Sequence, residues 1–354
     1  MFSIQENPFR LDFGAKPKLY VSRIHEQSKI IDIFSSEEPS AHIFVLIGAR
    51  GTGKTVLMTA ISHQLRSTDQ WLHIDLNSEE DLMIPLAAGL EQHLKGKTPK
   101  LSIGFSVKGL NISVENKGEN YRDIRLDLDK MLEVVKKEKK RLLITIDEVS
   151  NSRTMRDFTN YFQHCLREDY PVFVIMTGLY KNIRALQNNR SQTFLRRVPK
   201  IVLESLNISR IAQKYGEVFD CSQEDAMSIA QLTAGYSYGF QILGYLIFDA
   251  GKRYPDESIL SEYRINLEEN AYEKTWEELS ENERKVATAI ASSEPNSSVK
   301  DIRESIGMDS NNFSTYKDVL QKSGLLSCRT SYGRINFSLP FFKEYVKQVQ
   351  AGNF

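Results

Sequence analysis

Residues 48–55 read Gly-Ala-Arg-Gly-Thr-Gly-Lys-Thr, which satisfies the spacing G-x-x-x-x-G-K-[ST] in full. Glycines this dense weaken a helix or strand, so the flanks decide what the segment is for. Upstream, HIFVLI (His42 to Ile47) is a short apolar, β-branched run that stops at Gly48, the mark of a buried strand. Downstream, Leu57, Ile61 and Leu65 recur at helical spacing. Strand, glycine loop and helix in that order are what enclosing a phosphate requires. The glycines let main-chain N–H groups turn inward, and the helix presents its positive end to the same anion. The expected nucleotide site is Gly48, Ala49, Arg50, Gly51, Thr52, Gly53, Lys54 and Thr55, continuing to Val56. Lys54 is expected to reach the β- and γ-phosphates of ATP, and the Thr55 hydroxyl to ligate Mg²⁺.

A second buried run, Leu142-Leu143-Ile144-Thr145-Ile146-Asp147, ends in the acidic pair Asp147 and Glu148. Carboxylates at the C-terminal end of a strand sit where ligands of open α/β sheets collect. Asp147 suits the Mg²⁺ shell, and Glu148 suits the base that orients and deprotonates an attacking water. A further strand, WLHIDL (Trp71 to Leu76), lies between the two motifs and separates this pattern from small GTPase-like folds. VFVIMT (Val172 to Thr177) and KIVLESL (Lys200 to Leu206) complete five strand candidates that alternate with helical segments. The expected fold class is therefore α/β, a five-stranded parallel sheet covered by helices, spanning residues 41–206.

The remaining sequence divides around this core. Residues 1–40 form an arm broken by Pro8, Gly14 and Pro17, with a short helix over Arg23 to Phe34. LSIGFSVKGLNISVEN (101–116) alternates apolar and polar residues around Lys108-Gly109 and predicts a β-hairpin. After Leu206 the strand signals cease, and residues 207–272 read as helices, with Asn207 or Ser209 as the first cap. Asp256 to Glu278 is charged and helical, a link to the last domain, 275–354. There, Ser280 and Glu283 form a capping box, Ser298 and Asp301 open a second helix, and Asp309 or Ser310 a third. Gly324 ends the third, and Leu325 to Arg329 and Ile335 to Leu339 form a hairpin around Ser331-Tyr332-Gly333. Three helices and a hairpin in this order predict a winged helix.

Composition removes several alternatives. With 46 basic and 46 acidic side chains, no overall field recruits nucleic acid or an anionic membrane. The three cysteines are widely spaced and the six histidines show no ligand spacing, so thiols of a reducing compartment are expected rather than a metal centre. No apolar run approaches the ~20 residues of a membrane helix, and the N-terminus lacks a secretory h-region; the expected location is cytoplasmic, with no membrane partner.

Taken with these motifs, the sequence resembles the AAA+ ATPases, within them the initiator and helicase-loader group and the related archaeal-type and STAND ATPases. The resemblance implies a parallel αβα core, a helical lid and a C-terminal winged helix, with Mg-dependent ATP hydrolysis and assembly of homo-oligomers when ATP is bound. Tyr20-Val21-Ser22-Arg23 resembles the family's box beside the adenine, carried by Val21 and Arg23, with Ser22 in place of its glycine. Thr177 matches the polar sensor of the γ-phosphate or attacking water. Phe194-Leu195-Arg196-Arg197 resembles the segment that carries the arginine finger, with Arg197 the first choice and Arg196 the second. Gly235-Tyr236-Ser237-Tyr238-Gly239 resembles the second sensor loop, but Tyr238 stands where initiator-type members carry an arginine.

The resemblance also implies double-stranded DNA as a partner of the winged helix. Its third helix offers Asn311, Asn312, Ser314, Thr315 and Lys317, and its wing Arg329 and Arg334. Against this, residues 275–354 hold ten basic and ten acidic side chains, so their net charge is zero. The alternative is a signalling or scaffold switch in which the winged helix contacts protein.

Overall fold

The computed structural model of the protein describes residues 6–11, 17–95, 97, 117–294, 297–327 and 335–352. The hairpin expected at 101–116, the wing turn and the wing arginines Arg329 and Arg334 lie outside the described residues. The chain divides into two compact units, one of residues 24–46 and 57–201, the other of 1–23, 47–56 and 202–354.

The first unit carries the sheet. Its elements are α1 (Ile24–Ser35), β1 (Ile43–Ile47), α2 (Lys54–Arg66), β2 (Trp71–Asn77), α3 (Met83–His93), α4 (Lys117–Lys137), β3 (Arg141–Asp147), α5 (Arg153–Arg167), β4 (Val172–Gly178), α6 (Tyr180–Asn188) and β5 (Lys200–Val202), the ends of β1 and β5 and the start of α2 belonging to the other unit. The five strands form a parallel sheet in the order β2-β3-β4-β1-β5. All residues of β1 and β4 are buried, which is why both read as unbroken apolar runs rather than alternating ones. In the β2–β3 pair, Asp75 lies opposite Thr145 and Asn77 opposite Asp147. An aromatic cluster closes one end of this core, with Phe173 packed 5.0 Å from Phe34 and 5.1 Å from Trp71 between ring centroids.

The second unit is helical: α7 (Ile208–Phe219), α8 (Gln223–Gln231), α9 (Ser237–Asp249), α10 (Glu257–Leu267), α11 (Glu273–Glu277), α12 (Glu281–Ser292), α13 (Val299–Ser305), α14 (Ser310–Lys322) and α15 (Phe342–Gln350). Asn207, of the two expected candidates, caps α7 by accepting from the amides of Ser209 and Arg210. The capping boxes at Ser280/Glu283 and Ser298/Asp301 form, and Asp309 caps α14. The N-terminal arm is part of this unit's core. Phe9 sits against Tyr215, Phe219 and Phe240 at centroid distances of 5.8, 5.9 and 5.5 Å. A Cβ on Gly244 would lie 2.4 Å from the Phe9 ring, so only glycine admits the contact. Gln241 anchors the same arm, accepting from the amide of Arg10 and donating to the carbonyl of Leu19.

Three elements differ from the sequence expectation. The last strand ends at Val202 rather than Leu206, because the Leu206 amide leaves the sheet to donate to the Gly235 carbonyl at 2.7 Å. The charged stretch 256–278 is helical as expected but not regular: a π-turn at Glu268–Tyr272 lies between α10 and α11, and Tyr272 is buried with its hydroxyl on the Pro340 carbonyl. Beyond the expected hairpin lies α15, whose Phe342, Tyr345 and Val346 are buried at helical spacing. The described part of the hairpin is antiparallel, with a bridge between Leu326 and Phe337.

Candidate functional site

The loop 48–55 connects the end of β1 to the start of α2 and belongs wholly to the helical unit. Gly51 and Gly53 have φ of +70° and +88°, the left-handed region that glycine occupies without strain. At Gly51 space is also limiting: a Cβ would lie 2.3 Å from the Tyr236 hydroxyl oxygen. The loop is stiffened from within, the Thr52 hydroxyl donating to the Ala49 carbonyl at 2.9 Å. Lys54 is 8% exposed, and its ammonium donates to the carbonyls of Gly48 (3.1 Å) and Ala49 (2.9 Å). A buried ammonium held by two carbonyls is desolvated and ready to exchange them for anionic oxygens.

Segments far apart in sequence hold the outside of the loop. The Tyr236 hydroxyl donates to the Arg50 carbonyl at 2.8 Å, and the Tyr238 amide donates to the Gly51 carbonyl at 3.0 Å. Burial pushes the Tyr236 phenol well up and that of Tyr238 up to about 12, so both remain neutral. The Arg50 guanidinium approaches one Glu278 carboxylate oxygen with Nη2 at 2.6 Å and Nε at 3.3 Å. A Cβ on Gly324, at the end of α14, would lie 3.2 Å from the Ala49 nitrogen. From the arm, Arg23 donates through Nη2 to the carbonyls of Thr52 (3.1 Å) and Glu204 (2.7 Å). Val21 is half-buried against the same core. Nothing local in the sequence marks Glu278, which meets Arg50 across 228 positions. Tyr236 is buried in the core of the helical unit, with its polar end on the loop 48–55.

In the sheet unit, Asp147 ends β3, and Glu148 follows it exposed, with φ of +50°. A left-handed glutamate costs of order 1 kcal/mol and persists only where its surroundings hold it. The surroundings are identifiable. The Glu148 amide donates to Asp147 Oδ1 (3.1 Å) and Thr177 Oγ1 (3.2 Å), the Val149 amide donates to the Thr177 carbonyl (2.9 Å), and the Ser78 hydroxyl donates to the Glu148 carbonyl (3.2 Å). Thr177 is fully buried at the end of β4, and its hydroxyl donates to the Asp147 carboxylate. The structure thus brings together Asp147, Glu148 and Thr177. One step back along β3, the buried Thr145 hydroxyl donates to Asp75, and the His73 ring nitrogen Nε2 lies 2.9 Å from it. Burial lowers the His73 pKa to about 4, which leaves the imidazole neutral.

Arg196 and Arg197 end a 3₁₀ segment, Arg190–Arg197, and both are exposed. Arg196 Nε donates to the Gln187 carbonyl at 3.2 Å, whereas the Arg197 guanidinium makes no hydrogen bond or ion pair among the described residues. Among those residues no group of three or more His, Cys, Asp or Glu has the arrangement of a metal site, and no helix is long and apolar enough to cross a membrane.

Comparison with known proteins adds the following. A family model described as a domain of unknown function, DUF8462, matches residues 269–346. No curated protein matches the chain. Among solved structures, the Walker-type ATPase of Pyrococcus abyssi superposes with a TM-score of 0.65 at 14% identity, covering 93% of this chain and 96% of that one. The ORC2 protein of Aeropyrum pernix, solved in ADPNP and ADP complexes, gives 0.58 at 12% identity over 99% of both chains. Cdc6p of Pyrobaculum aerophilum gives 0.50 at 14% identity over 96% of both.

Proposed function

We propose that this chain, which has the fold of the AAA+ ATPases of the archaeal Cdc6 and ORC type, is an ATP-binding and ATP-hydrolysing switch that acts on duplex DNA through its C-terminal winged helix. The observation that carries it is the loop 48–55: left-handed glycines, a buried lysine turned onto the loop's own carbonyls, and a helix starting at Lys54. A triphosphate would replace those carbonyls as the partner of the Lys54 ammonium, with the loop amides and the start of α2 meeting the remaining phosphate charge. The Thr55 hydroxyl and the Asp147 carboxylate are hard oxygen donors of the kind Mg²⁺ takes, and bound Mg²⁺ would neutralise charge on the phosphates. Glu148 would accept the proton of the attacking water, and Thr177 would hold Asp147 and the Glu148 amide in place while it does so. Arg197, ahead of Arg196, would stabilise the transferring phosphate of a neighbouring copy, which makes the ATP-bound form a homo-oligomer.

The same loop supports a switch rather than a simple hydrolase. Its outer surface touches the second sensor loop through Tyr236 and Tyr238, the charged link 256–278 through its last residue Glu278, and the turn after α14 through Gly324. A change in loop conformation on nucleotide binding would be felt in the lid at 207–272 and the winged helix at 275–354. On the winged helix, Asn311, Asn312, Ser314 and Thr315 form an exposed face of α14, as a major-groove reader requires. The zero net charge of 275–354 favours a second reading, in which that face binds protein.

Two measurements test the proposal. Wild-type protein is expected to bind Mg-ATP, and Lys54→Ala to lose about a hundredfold in affinity as charge-assisted contacts to phosphate go. Wild-type affinity in the variant would remove the lysine from the site. A salt titration of duplex binding separates the two outputs: no DNA affinity at low salt, with or without ATP, would give the winged helix to a protein partner.

A further inference from the structure

In the sheet unit, the 3₁₀ segment Arg190–Arg197 carries a glutamine at a core position. Gln192 is fully buried, and its backbone leaves helical geometry, with φ of −120° and ψ of 24°. Its carboxamide reaches across to α5. Oε1 accepts from the Thr159 hydroxyl at 2.5 Å, and Nε2 donates to Asn160 Oδ1 at 2.8 Å and to the Arg156 carbonyl at 3.3 Å. A second tie comes from α6, where Gln187 Nε2 donates to the carbonyl of the buried Leu195 at 2.9 Å. Arg196 returns that contact through Nε to the Gln187 carbonyl at 3.2 Å, and the Lys200 ammonium donates to the Arg196 carbonyl at 3.2 Å. Arg197, the next residue, is exposed, and its guanidinium has no such tie among the described residues.

Burial alone does not call for a glutamine at 192. A leucine of similar size would hold the segment against α5 nearly as well, because a buried amide gains little net stability over its bonds to water. A fully bonded carboxamide adds a single register: sliding the segment along α5 would strand its donors and its acceptor. That precision matters for a reacting group, since a misplacement of about 1 Å costs on the order of 10²-fold in rate. The two helices that hold the segment also lead away from the acidic site. α5 follows Asp147 and Glu148 through the Ser152 cap, and α6 follows Thr177 at the end of β4.

We propose that Gln192 is a positioning residue for the arginine finger, fixing the segment 190–197 on α5 so that Arg197 is presented in one place to the nucleotide of a neighbouring copy. Arg196 then belongs to the mount, its guanidinium tied back to α6, and Arg197 is the group that acts in trans. This rests on the ATPase role and the finger proposed above. Because α5 starts just after Glu148, one helix joins the chain's own hydrolytic carboxylate to the finger it lends to the next copy.

The experiment uses the full-length protein at saturating ATP and reads steady-state turnover, ATP affinity and melting temperature. Gln192→Leu leaves the Thr159 hydroxyl the carbonyls of Met155 and Arg156, at 2.9 and 3.0 Å, so no buried hydroxyl is orphaned and the variant is expected to fold. It is expected to lower turnover by about tenfold, with ATP affinity within about twofold of the wild type. Arg197→Ala is expected to lose about 10³-fold, and Gln192→Leu added to it to lose nothing more, since the one acts through the other. Mixed with Glu148→Gln, which keeps an intact finger segment, Gln192→Leu is expected to regain turnover, because its sites then meet a correctly placed arginine. A merely structural lesion would show neither behaviour. Wild-type turnover in Gln192→Leu, a loss that multiplies with that of Arg197→Ala, or no recovery on mixing where Arg197→Ala does recover would overturn the positioning role while the finger stands. Wild-type turnover in Arg197→Ala would remove the finger and the positioning role with it, and wild-type protein that binds no ATP would remove the site itself. Should Gln192→Leu fail to fold, Thr159→Val, which takes away the donor to Oε1, decides the matter by the same readouts, with a loss of about threefold expected.

Discussion

The loop at 48–55 and the acidic end of β3 are held in opposite ways. The loop is constrained from outside the sheet, by Tyr236, Tyr238 and Glu278 from far along the chain and by Arg23 of the N-terminal arm. The acidic end is constrained by the sheet it belongs to, through the adjacent strand β4, whose Thr177 binds the Asp147 carboxylate and the Glu148 amide, and through Ser78 just after β2. A loop tied to remote segments can pass its state to them. A carboxylate pair clamped by its own sheet keeps its geometry whatever those segments do. On the proposed function, the loop would carry the signal and the acidic end the chemistry.

The sharpest test of that division is Glu148→Gln, expected to lower ATP turnover on the order of 10³-fold while leaving nucleotide affinity near wild type, as loss of a general base does. Measured by steady-state hydrolysis and equilibrium binding, a large loss of affinity instead would place Glu148 in the binding half. Next is Thr177→Val, which keeps the shape but strips the hydroxyl from Asp147 and the Glu148 amide. It is expected to cost about 1–3 kcal/mol of stability and about tenfold in turnover. An unchanged melting temperature with unchanged turnover would mean the acidic end does not depend on its clamp.

Glu278→Gln addresses the other region. Removing the charge that faces Arg50 is expected to raise ATP affinity by about threefold, since the pair is partly exposed and its net strength modest. The same change in an Arg50→Ala background is expected to do nothing, and a double-mutant cycle on ATP affinity reads the coupling directly. Equal effects in both backgrounds would sever the loop from the segment around Glu278. The smallest effect concerns pH. His73 is held neutral in the folded sheet, with a pKa of about 4 against 6.5 unperturbed, so the unfolded chain takes up the proton first as pH falls. Stability is complete above pH 6.5 and declines as pH drops from there toward about 4. Denaturant midpoints at pH 7 and pH 5 are expected to differ less in His73→Gln than in the wild type, and an identical pH response would clear His73 of the effect.

The amino-acid sequence by itself determined the parts of this protein whose signal is local. The run His42–Ile47 stopping at Gly48, the glycine spacing, and the strand ending in Asp147 each bury or bend backbone in a way that neighbours in sequence dictate, and the sheet follows from five such runs. The capping boxes at Ser280 and Ser298 are equally local, a side chain reaching an amide three residues on. Only the tertiary structure decided the rest. The early end of β5 depends on a hydrogen bond from Leu206 to Gly235, the π-turn at 268–272 goes with the inward turn of Tyr272 onto Pro340, and the pairing of Arg50 with Glu278 spans most of the chain. Even the role of Tyr236 was hidden, since a buried aromatic looks the same in sequence whether or not its hydroxyl ends on a phosphate loop. The physical reason is range. Helix, strand and turn preferences act over a few residues, whereas ion pairs and shared clefts are made by surfaces that meet only after the chain has folded.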